Sequence, residues 1–473
     1  MLFNSLEYLL FLPIVFLLYW FVFKTLRWQN MLVVVASYIF YGWWDWRFLI
    51  LIAFTNFCSY VSGIEIEKHR KGCAKLYAVA NICINLLILG IFKYFNFFAE
   101  SLSAVFEGIG IILHPITLKL ILPVGISFYT FQALSYTIDV YRGKLVATHD
   151  PVSFFAFISF FPQLVAGPIE RASNLLPQFQ KERRFDYALA VDGTKQILWG
   201  LFKKMVIADN CADVVDKIWV DYSSHSSIML IIASVLFAFQ IYGDFSGYSD
   251  IAIGTGKLFG IRLMRNFNLP YFSRSVAEFW KRWHISLNTW FVDYVYIPLG
   301  GSRNGKWKTL RNTFAIFFLS GLWHGANWTY VTWGVYHAAL FLPLVLIGKR
   351  RKYTDVVAQN SMWPSLKEIR QVLITFVLAV IGWIIFRANS ISDFIGYVSC
   401  MFTNLTLHDK VEGWKPLFFI VVLMMVEWAN RRREHAFAFH IQNIWLRWGV
   451  YLLMAFTCLT QAGKQVQFIY FQF

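Results

Sequence analysis

The sequence predicts an all-α, polytopic membrane protein with roughly 10–12 membrane-embedded helices, some of them re-entrant. Of its 473 residues, 58% are hydrophobic and only 15% are charged, whereas about a quarter of the residues in soluble domains are charged. Apolar runs recur along the whole chain, and the basic residues lie mostly between them. Aromatic residues make up 19% of the chain, which suits the lipid-facing surfaces and interfacial belts of membrane helices.

The net charge of +16 would favour nucleic-acid binding in a soluble protein. Here cytoplasmic loops that obey the positive-inside rule explain the basic residues more simply. We therefore expect no nucleic-acid partner. The basic loops also suit membrane lipid, through its anionic headgroups, and phosphate-bearing substrates.

Taken in order, the apolar runs predict membrane helices at residues 9–23, 31–41, 78–98, 227–241, 327–347, 372–386, 416–428 and 448–460, with another that ends near Ile64. The longer runs have enough apolar residues to cross the hydrocarbon core. Basic clusters between them predict cytoplasmic loops, at residues 65–75, 171–187, 348–352 and 431–433. This sidedness requires residues 391–401 to be partly submerged rather than spanning.

Two apolar runs are interrupted by helix-breaking residues. Pro123 and Gly125 lie inside the run 118–140, and the short run 154–165 contains Pro162. Irregular backbone at membrane depth is tolerated where it is buried in protein or lines a cavity. For residues 154–165, a re-entrant element and a loop along the membrane interface are equally consistent with the sequence.

Residues 242–250 place Tyr242, Asp244 and Asp250 among two serines and a second tyrosine, between two apolar runs. Such a group suggests the polar lining of a site. Hydrogen-bonded contacts between helices, or an N-cap, explain the same residues nearly as well.

Residues 278–337 are the most informative stretch, because His284, His324 and His337 lie there in or beside apolar, aromatic sequence. Histidine exchanges a proton near neutral pH, and ionisable residues within membrane segments suggest a functional site. Each histidine could instead be a hydrogen-bonded core residue. The neighbouring tryptophans and the glycine turn at residues 298–305 shift the balance toward a site.

The six cysteines form no CxxC pair and no Cys/His cluster with metal-ligand spacing. We therefore predict neither a disulfide framework nor a metal site.

Three segments, residues 242–250, 278–286 and 323–328, resemble motifs of the membrane-bound O-acyltransferase (MBOAT) family. Residues 1–5, 122–129 and 161–171 are similar to its AlgI-like branch, the alginate O-acetyltransferases. The resemblance implies one integral membrane domain over residues 1–473, with a tunnel through the membrane. It also implies acetyl-CoA as the acyl donor.

The resemblance implies that His324 is the essential histidine and His284 the second polar position of the site. A histidine near neutral pKa suits general-base catalysis of acyl transfer, and a second polar group can orient it or stabilise the oxyanion. His337 follows His324 by 13 residues, so on one straight helix the two would lie roughly 20 Å apart. His337 is therefore expected to be a supporting residue, as are Asn327, Trp323, Asp244 and Tyr242.

The phosphates of the donor require cations, and Lys281 and Arg282 are candidates because they lie within the motif. Lys and Arg of a solvated loop explain each of them as well. The resemblance further implies a periplasmic partner of the SGNH-hydrolase type, a polysaccharide acceptor, and a multi-pass location in the bacterial inner membrane.

Several alternatives remain open on the sequence. Peptidoglycan O-acetylation is close to the leading interpretation, and DltB-like D-alanyl transfer from a carrier-protein thioester is more distant. A transporter without acyl chemistry belongs to another class, because broken helices and buried polar residues are also typical of transporters.

Overall fold

The computed structural model describes residues 1–165, 167–303, 305–348, 353, 355–405, 412–439 and 441–469. Every regular element among them is helical, which confirms the predicted all-α class. The chain forms two compact units, one of residues Met1–Ala190 with Thr255–Met264 and the other of Val191–Gly254 with Arg265–Phe473. The single domain over residues 1–473 stays a prediction. The basic residues 349–352, predicted to be cytoplasmic, lie outside the described residues.

Among the described residues, five helical stretches are long and apolar enough to cross a membrane, which agrees with a polytopic protein. They are Phe48–Lys68, Ala74–Glu107, Ser227–Leu258, Trp328–Leu346 and Leu366–Arg387. Shorter apolar helices also occur, among them Ile391–Thr403, the segment predicted to be partly submerged.

The first unit contains α1 (Leu6–Leu17), α2 (Leu26–Gly42), α3 (Phe48–Lys68), α4 (Ala74–Leu89), α5 (Phe95–Glu107), α6 (Ile126–Tyr141), α7 (Pro151–Ser159), α8 (Phe161–Leu164) and α9 (Ala172–Phe179). Hydrogen bonds from buried asparagines connect these helices. Such bonds are usual between membrane helices, where apolar contact alone gives little preference for one packing arrangement over another. Asn81 on α4 donates to Thr137 on α6 at 2.7 Å, and Asn56 on α3 donates to Ser159 on α7 at 3.1 Å.

Both interrupted runs form breaks in the helical structure. Gly125 has φ +74°, and a β-carbon there would lie 2.7 Å from the Leu164 carbonyl oxygen, so the position suits glycine alone. Helix α6 begins at the next residue. The run 154–165 forms α7 and α8, whose Phe157 and Phe161 are fully buried, so this irregular backbone lies in the protein interior.

The second unit contains α10 (Tyr187–Leu201), α11 (Asp209–Val220), α12 (Ser227–Leu258), α13 (Val276–Arg282), α14 (Ile285–Phe291), α15 (Gly305–His324), α16 (Trp328–Leu346), α17 (Leu366–Arg387), α18 (Ile391–Thr403), α19 (Trp414–Ala429) and α20 (Ile444–Thr460). Helix α10 begins in the first unit. The end of α12, from Thr255 onward, also belongs to the first unit. Residues 242–250 lie inside the continuous helix α12, so the N-cap interpretation of this polar stretch is wrong.

Helices α15 and α16 form a tight antiparallel hairpin. A β-carbon at Gly321 would overlap the Tyr330 carbonyl oxygen, and one at Gly334 would overlap the Phe317 carbonyl oxygen. The two backbones therefore approach as closely as small residues allow. Between the helices, a β-carbon at Gly325 would overlap the Tyr330 ring.

We predict that Gly334→Ala lowers the thermal unfolding temperature of the detergent-solubilised protein, because the added methyl group forces the hairpin apart. Overpacking of this kind costs about 1–3 kcal/mol. Gly449→Ala on α20 is the matched control, since its added β-carbon would meet no atom of another part of the described chain within 4 Å. An unchanged unfolding temperature for Gly334→Ala would contradict the close packing.

Candidate active site

His284 lies between α13 and α14, at the N-cap of α14, with a left-handed backbone conformation of φ +45° and ψ +54°. Positive φ is uncommon for residues other than glycine, and it costs of order 1–3 kcal/mol where the surrounding structure enforces it. The turn at this residue directs the imidazole into the protein, and only 1% of the residue is exposed. Backbone conformations of this kind cluster at active sites.

Asn266 determines the tautomer of His284. The Ser286 backbone N–H donates to Asn266 Oδ1 at 3.3 Å, so this atom is an acceptor. His284 Nδ1 lies 3.0 Å from the same oxygen and must therefore donate. The proton of neutral His284 is on Nδ1, which leaves Nε2 as the nitrogen that can accept a proton.

His324 is the last residue of α15 and is 3% exposed. Aromatic rings surround it, with centroids at 5.0 Å for Trp323, 5.0 Å for Trp333 and 5.3 Å for Phe386. The Trp323 indole also contacts the His284 ring, at 5.7 Å between centroids. The structure therefore brings the two predicted catalytic histidines to one tryptophan, and the two distances bound their separation at about 11 Å.

His337 lies on α16, not on the helix that carries His324, so the assumption of one straight helix is wrong. The chain turns at residues 325–327, and Asn327 caps α16 by accepting the Thr329 backbone N–H at 3.0 Å. Both histidine rings contact Trp333, at 5.0 and 4.9 Å between centroids. They are consequently at most about 10 Å apart rather than roughly 20 Å.

His337 holds the tryptophan of the predicted motif. Trp280 Nε1–H donates to His337 Nδ1 at 3.2 Å, so a neutral His337 carries its proton on Nε2. A β-carbon at Gly382 on α17 would lie 2.7 Å from that Nε2 atom. The ring is thus confined between Trp280 and the backbone of α17, and its supporting role stays a prediction.

The predicted polar residues of α12 are used in buried contacts. Asp244 pairs with Lys204 at 2.8 Å and accepts the Ile469 backbone N–H at 2.6 Å. Tyr242 donates to Glu427 at 2.7 Å. Phe245, next to Asp244, packs edge-on against His284 at 4.6 Å. Asp244 and Tyr242 therefore belong to the polar core behind the His284 ring.

Sequence reasoning missed the cations of this core. Lys203 pairs with Asp250 at 2.5 Å, and Lys204 pairs with Asp209 at 2.7 Å as well as with Asp244. Both lysines are at most 2% exposed. They lie in the apolar run 197–208, and ionisable residues in such a run were the available signal.

A cavity of about 620 Å³ lies beside Trp280. Trp280 and Phe317 form part of its wall, and its polar lining includes Lys281, Asn288, Thr289, Tyr296 and Ser302. A space of this size is typical of small-molecule sites.

The two predicted phosphate-binding cations differ in their surroundings. Lys281 lines the cavity and is exposed. The Arg282 guanidinium donates to Glu278 at 2.9 Å and to the Asp355 carbonyl oxygen at 2.7 Å. Lys281 is thus the cation of the pair whose surroundings suit a phosphate.

His284 lies outside the candidate spanning helices, and burial lowers its pKa to about 3. Below about pH 6.5 the unfolded chain gains a proton at this residue that the folded chain does not bind. Stability is therefore expected to fall as the pH falls below about 6.5, by up to about 1.4 kcal/mol per pH unit from this group.

We predict that His284→Gln flattens the decrease in thermal unfolding temperature between about pH 7 and about pH 5. His69→Gln, at an exposed histidine, should leave the wild-type pH dependence intact. A variant at His284 with the wild-type slope would show that His284 titrates normally in the folded protein.

Known proteins are similar to this chain over the residues of the candidate site. The model of MBOAT, the membrane-bound O-acyltransferase family, matches residues 144–381. This range includes His284, His324 and His337. The chain is 41% identical over 395 residues to the probable alginate O-acetylase AlgI of Pseudomonas aeruginosa, with 83% of this chain and 73% of that protein covered.

Two relatives with other acceptors are more distant. The peptidoglycan O-acetyltransferase of Helicobacter pylori is 30% identical over 520 residues, covering 98% of this chain and 95% of its own. The teichoic acid D-alanyltransferase of Bacillus subtilis is 30% identical over 277 residues, covering 56% and 68%. The family match over half of the chain and the AlgI similarity over most of it show that the chain belongs to the membrane-bound O-acyltransferase family and is a multi-pass membrane O-acyltransferase.

Proposed function

We propose that this enzyme is an O-acetyltransferase that modifies hydroxyl groups of an exported or cell-surface polysaccharide, alginate-like in chemistry, with acetyl groups from acetyl-CoA. The observation that carries the proposal is the meeting of His284 and His324 at one indole, with centroids 5.7 and 5.0 Å from Trp323. The names of the relatives support the acetyl group and the acceptor, since relatives that are 41% identical are named as probable alginate O-acetylases.

His324 is the proposed general base. Its imidazole takes the proton of the acceptor hydroxyl while the hydroxyl oxygen attacks the thioester carbon. The C–O bond forms, the C–S bond breaks, and the proton passes to the leaving thiolate. General-base catalysis of this kind contributes about 10²–10⁴-fold, and the aromatic surroundings of His324 limit competition from water.

His284 is the proposed second polar group. Its Nδ1–H is engaged by Asn266 at 3.0 Å, which orients the ring and directs Nε2 away from Asn266. A neutral, oriented imidazole can hold the acceptor hydroxyl in line with His324 without adding a charge. The tight packing of Phe245 on its ring supports this positioning role.

The cavity beside Trp280 is the proposed site for the donor arm. Its mixed lining, with Asn288 and Thr289 beside apolar side chains, suits the amide groups and methylenes of a pantetheine chain. Lys281 lies where a cation could bind a phosphate of the same molecule, and ammonium groups bind phosphates as point charges.

We further propose that the donor enters from the cytoplasm of a bacterial cell, that the protein resides in the inner membrane, and that the acetyl group leaves on the periplasmic side. The family resemblance and the basic loops support this direction. A periplasmic partner of the SGNH type would then receive the acetyl group and pass it to the polysaccharide.

Peptidoglycan is the second candidate acceptor. One specific observation favours it, because the peptidoglycan O-acetyltransferase of Helicobacter pylori aligns with 98% of this chain. D-alanyl transfer from a carrier protein has less support, since the D-alanyltransferase of Bacillus subtilis aligns with 56% of it. A transporter without acyl chemistry is disfavoured by membership of an O-acyltransferase family.

We predict that His324→Ala reduces acetyl transfer at least about 100-fold, the contribution expected of a general base. The wild type and the variant are purified in detergent and incubated with radiolabelled acetyl-CoA, with and without an SGNH-type partner and alginate oligosaccharide. Loss of thioester and appearance of label on the acceptor are both measured.

His114→Ala, at an exposed histidine in the first unit, is the control and should transfer acetyl groups at the wild-type rate. Equal transfer by wild type and a folded His324→Ala variant would contradict the base assignment. Label on peptidoglycan fragments but not on alginate oligosaccharide would replace the proposed acceptor.

A further inference from the structure

We infer that Trp280, held by His337, makes the enzyme select a hydroxyl acceptor over water, by separating water in the donor cavity from the acyl thioester. The inference rests on the proposed function, because it concerns the fate of the same thioester. It identifies Trp280 as a specificity-determining residue and His337 as the residue that positions it.

Trp280 lies between the cavity and His337. On one side it lines the cavity of about 620 Å³. On the other side its ring contacts Trp333 at 5.4 Å, and Trp333 contacts His324 at 5.0 Å. Two indoles therefore connect the donor cavity with the proposed base.

The orientation of Trp280 is closely determined. Its Nε1–H donates to His337 Nδ1 at 3.2 Å, and the two rings meet edge-to-face at 4.8 Å. Phe317 packs on both rings, at 5.4 and 6.1 Å. Gly382 lies directly behind His337, so the imidazole has no room to retreat from the indole.

The cavity has the volume and the polar lining that water requires. Water that reached the thioester would attack its carbonyl carbon, form a C–O bond and break the C–S bond. One of its two protons would pass to the thiolate and the other would stay on the product, which gives acetic acid and free CoA. An acyltransferase loses its donor by this route unless the reacting carbon is shielded. The Trp280 indole is placed to provide this shield around the arm of a bound donor.

The hydrogen bond explains why a histidine occupies position 337. Phe317 and Trp333 would pack against any flat ring there, but only a ring with an acceptor nitrogen holds the indole N–H. Burial of both groups makes the bond costly to leave unmade. His337 therefore acts through Trp280 and need not touch the substrate.

The test measures free CoA released from acetyl-CoA with a thiol reagent, and acetyl groups on the acceptor with radiolabel, in the full-length protein. Trp280→Phe removes the N–H and part of the ring, and Trp280→Ala removes the ring. Gly382→Ala pushes His337 from behind without altering Trp280. Trp290→Phe is the matched control, because Trp290 is similarly buried and its ring packs on Phe291 and Tyr294.

In the wild type we expect CoA release to depend on the acceptor. Trp280→Phe and Gly382→Ala should each raise acceptor-independent release at least about fivefold and lower the share of acetyl groups that reach the acceptor. Trp290→Phe should retain the wild-type ratio. Trp280→Phe and Gly382→Ala remain informative if Trp280→Ala does not fold.

Folded Trp280→Phe and Gly382→Ala variants with the wild-type ratio would overturn the inference and leave the proposed function intact. An equal rise in Trp290→Phe would also overturn it, since the effect would then be general. A wild type that transfers no acetyl group to any acceptor tested would overturn the proposed function and this inference together.

Discussion

The close contact of α15 with α16 is the constraint on which the site depends. Gly321 and Gly334 let the two backbones meet, because a β-carbon at either would overlap a carbonyl oxygen of the other helix. In a membrane, where apolar burial gives little preference between neighbours, such close contact is a main source of helix association. Since His324 ends one helix and Trp333 lies early in the other, the same contact brings the proposed base to its aromatic surroundings.

The site combines apolar walls with few polar groups. Each of the two imidazoles whose tautomer can be assigned is held by one partner, Asn266 for His284 and Trp280 for His337. Farther back, buried lysines and aspartates pair with one another. Electrostatic interactions are strong in such a setting, and an unpaired charge would be expensive. Charged side chains are thus paired with one another in the polar core behind His284. In this way the protein keeps charge out of the immediate surroundings of this imidazole.

The all-α class and the helix break at Gly125 agree with what the sequence predicts, because long apolar runs and a Pro and Gly interruption are local signals. The sequence predicts no distance between His284 and His324, and their shared contact with Trp323 is a finding of the structure. Tertiary contacts account for what the sequence did not predict. The chain turns at Gly325, where the Tyr330 ring, five residues later, packs against it, so the separation of roughly 20 Å expected for His324 and His337 on one straight helix does not apply. Asn266 carries no local signal at all, since its role arises only when the turn at His284 folds back onto it.

The most direct test of the account is a structure of the protein with a donor analogue that cannot react, in which a methylene separates the sulfur of CoA from the acetyl carbonyl. We predict the pantetheine arm in the cavity beside Trp280 and Phe317, and the carbonyl carbon within about 6 Å of the His324 imidazole. That distance leaves room for one hydroxyl between base and carbon. An analogue bound in another part of the protein, or a carbonyl carbon more than about 10 Å from His324, would contradict it.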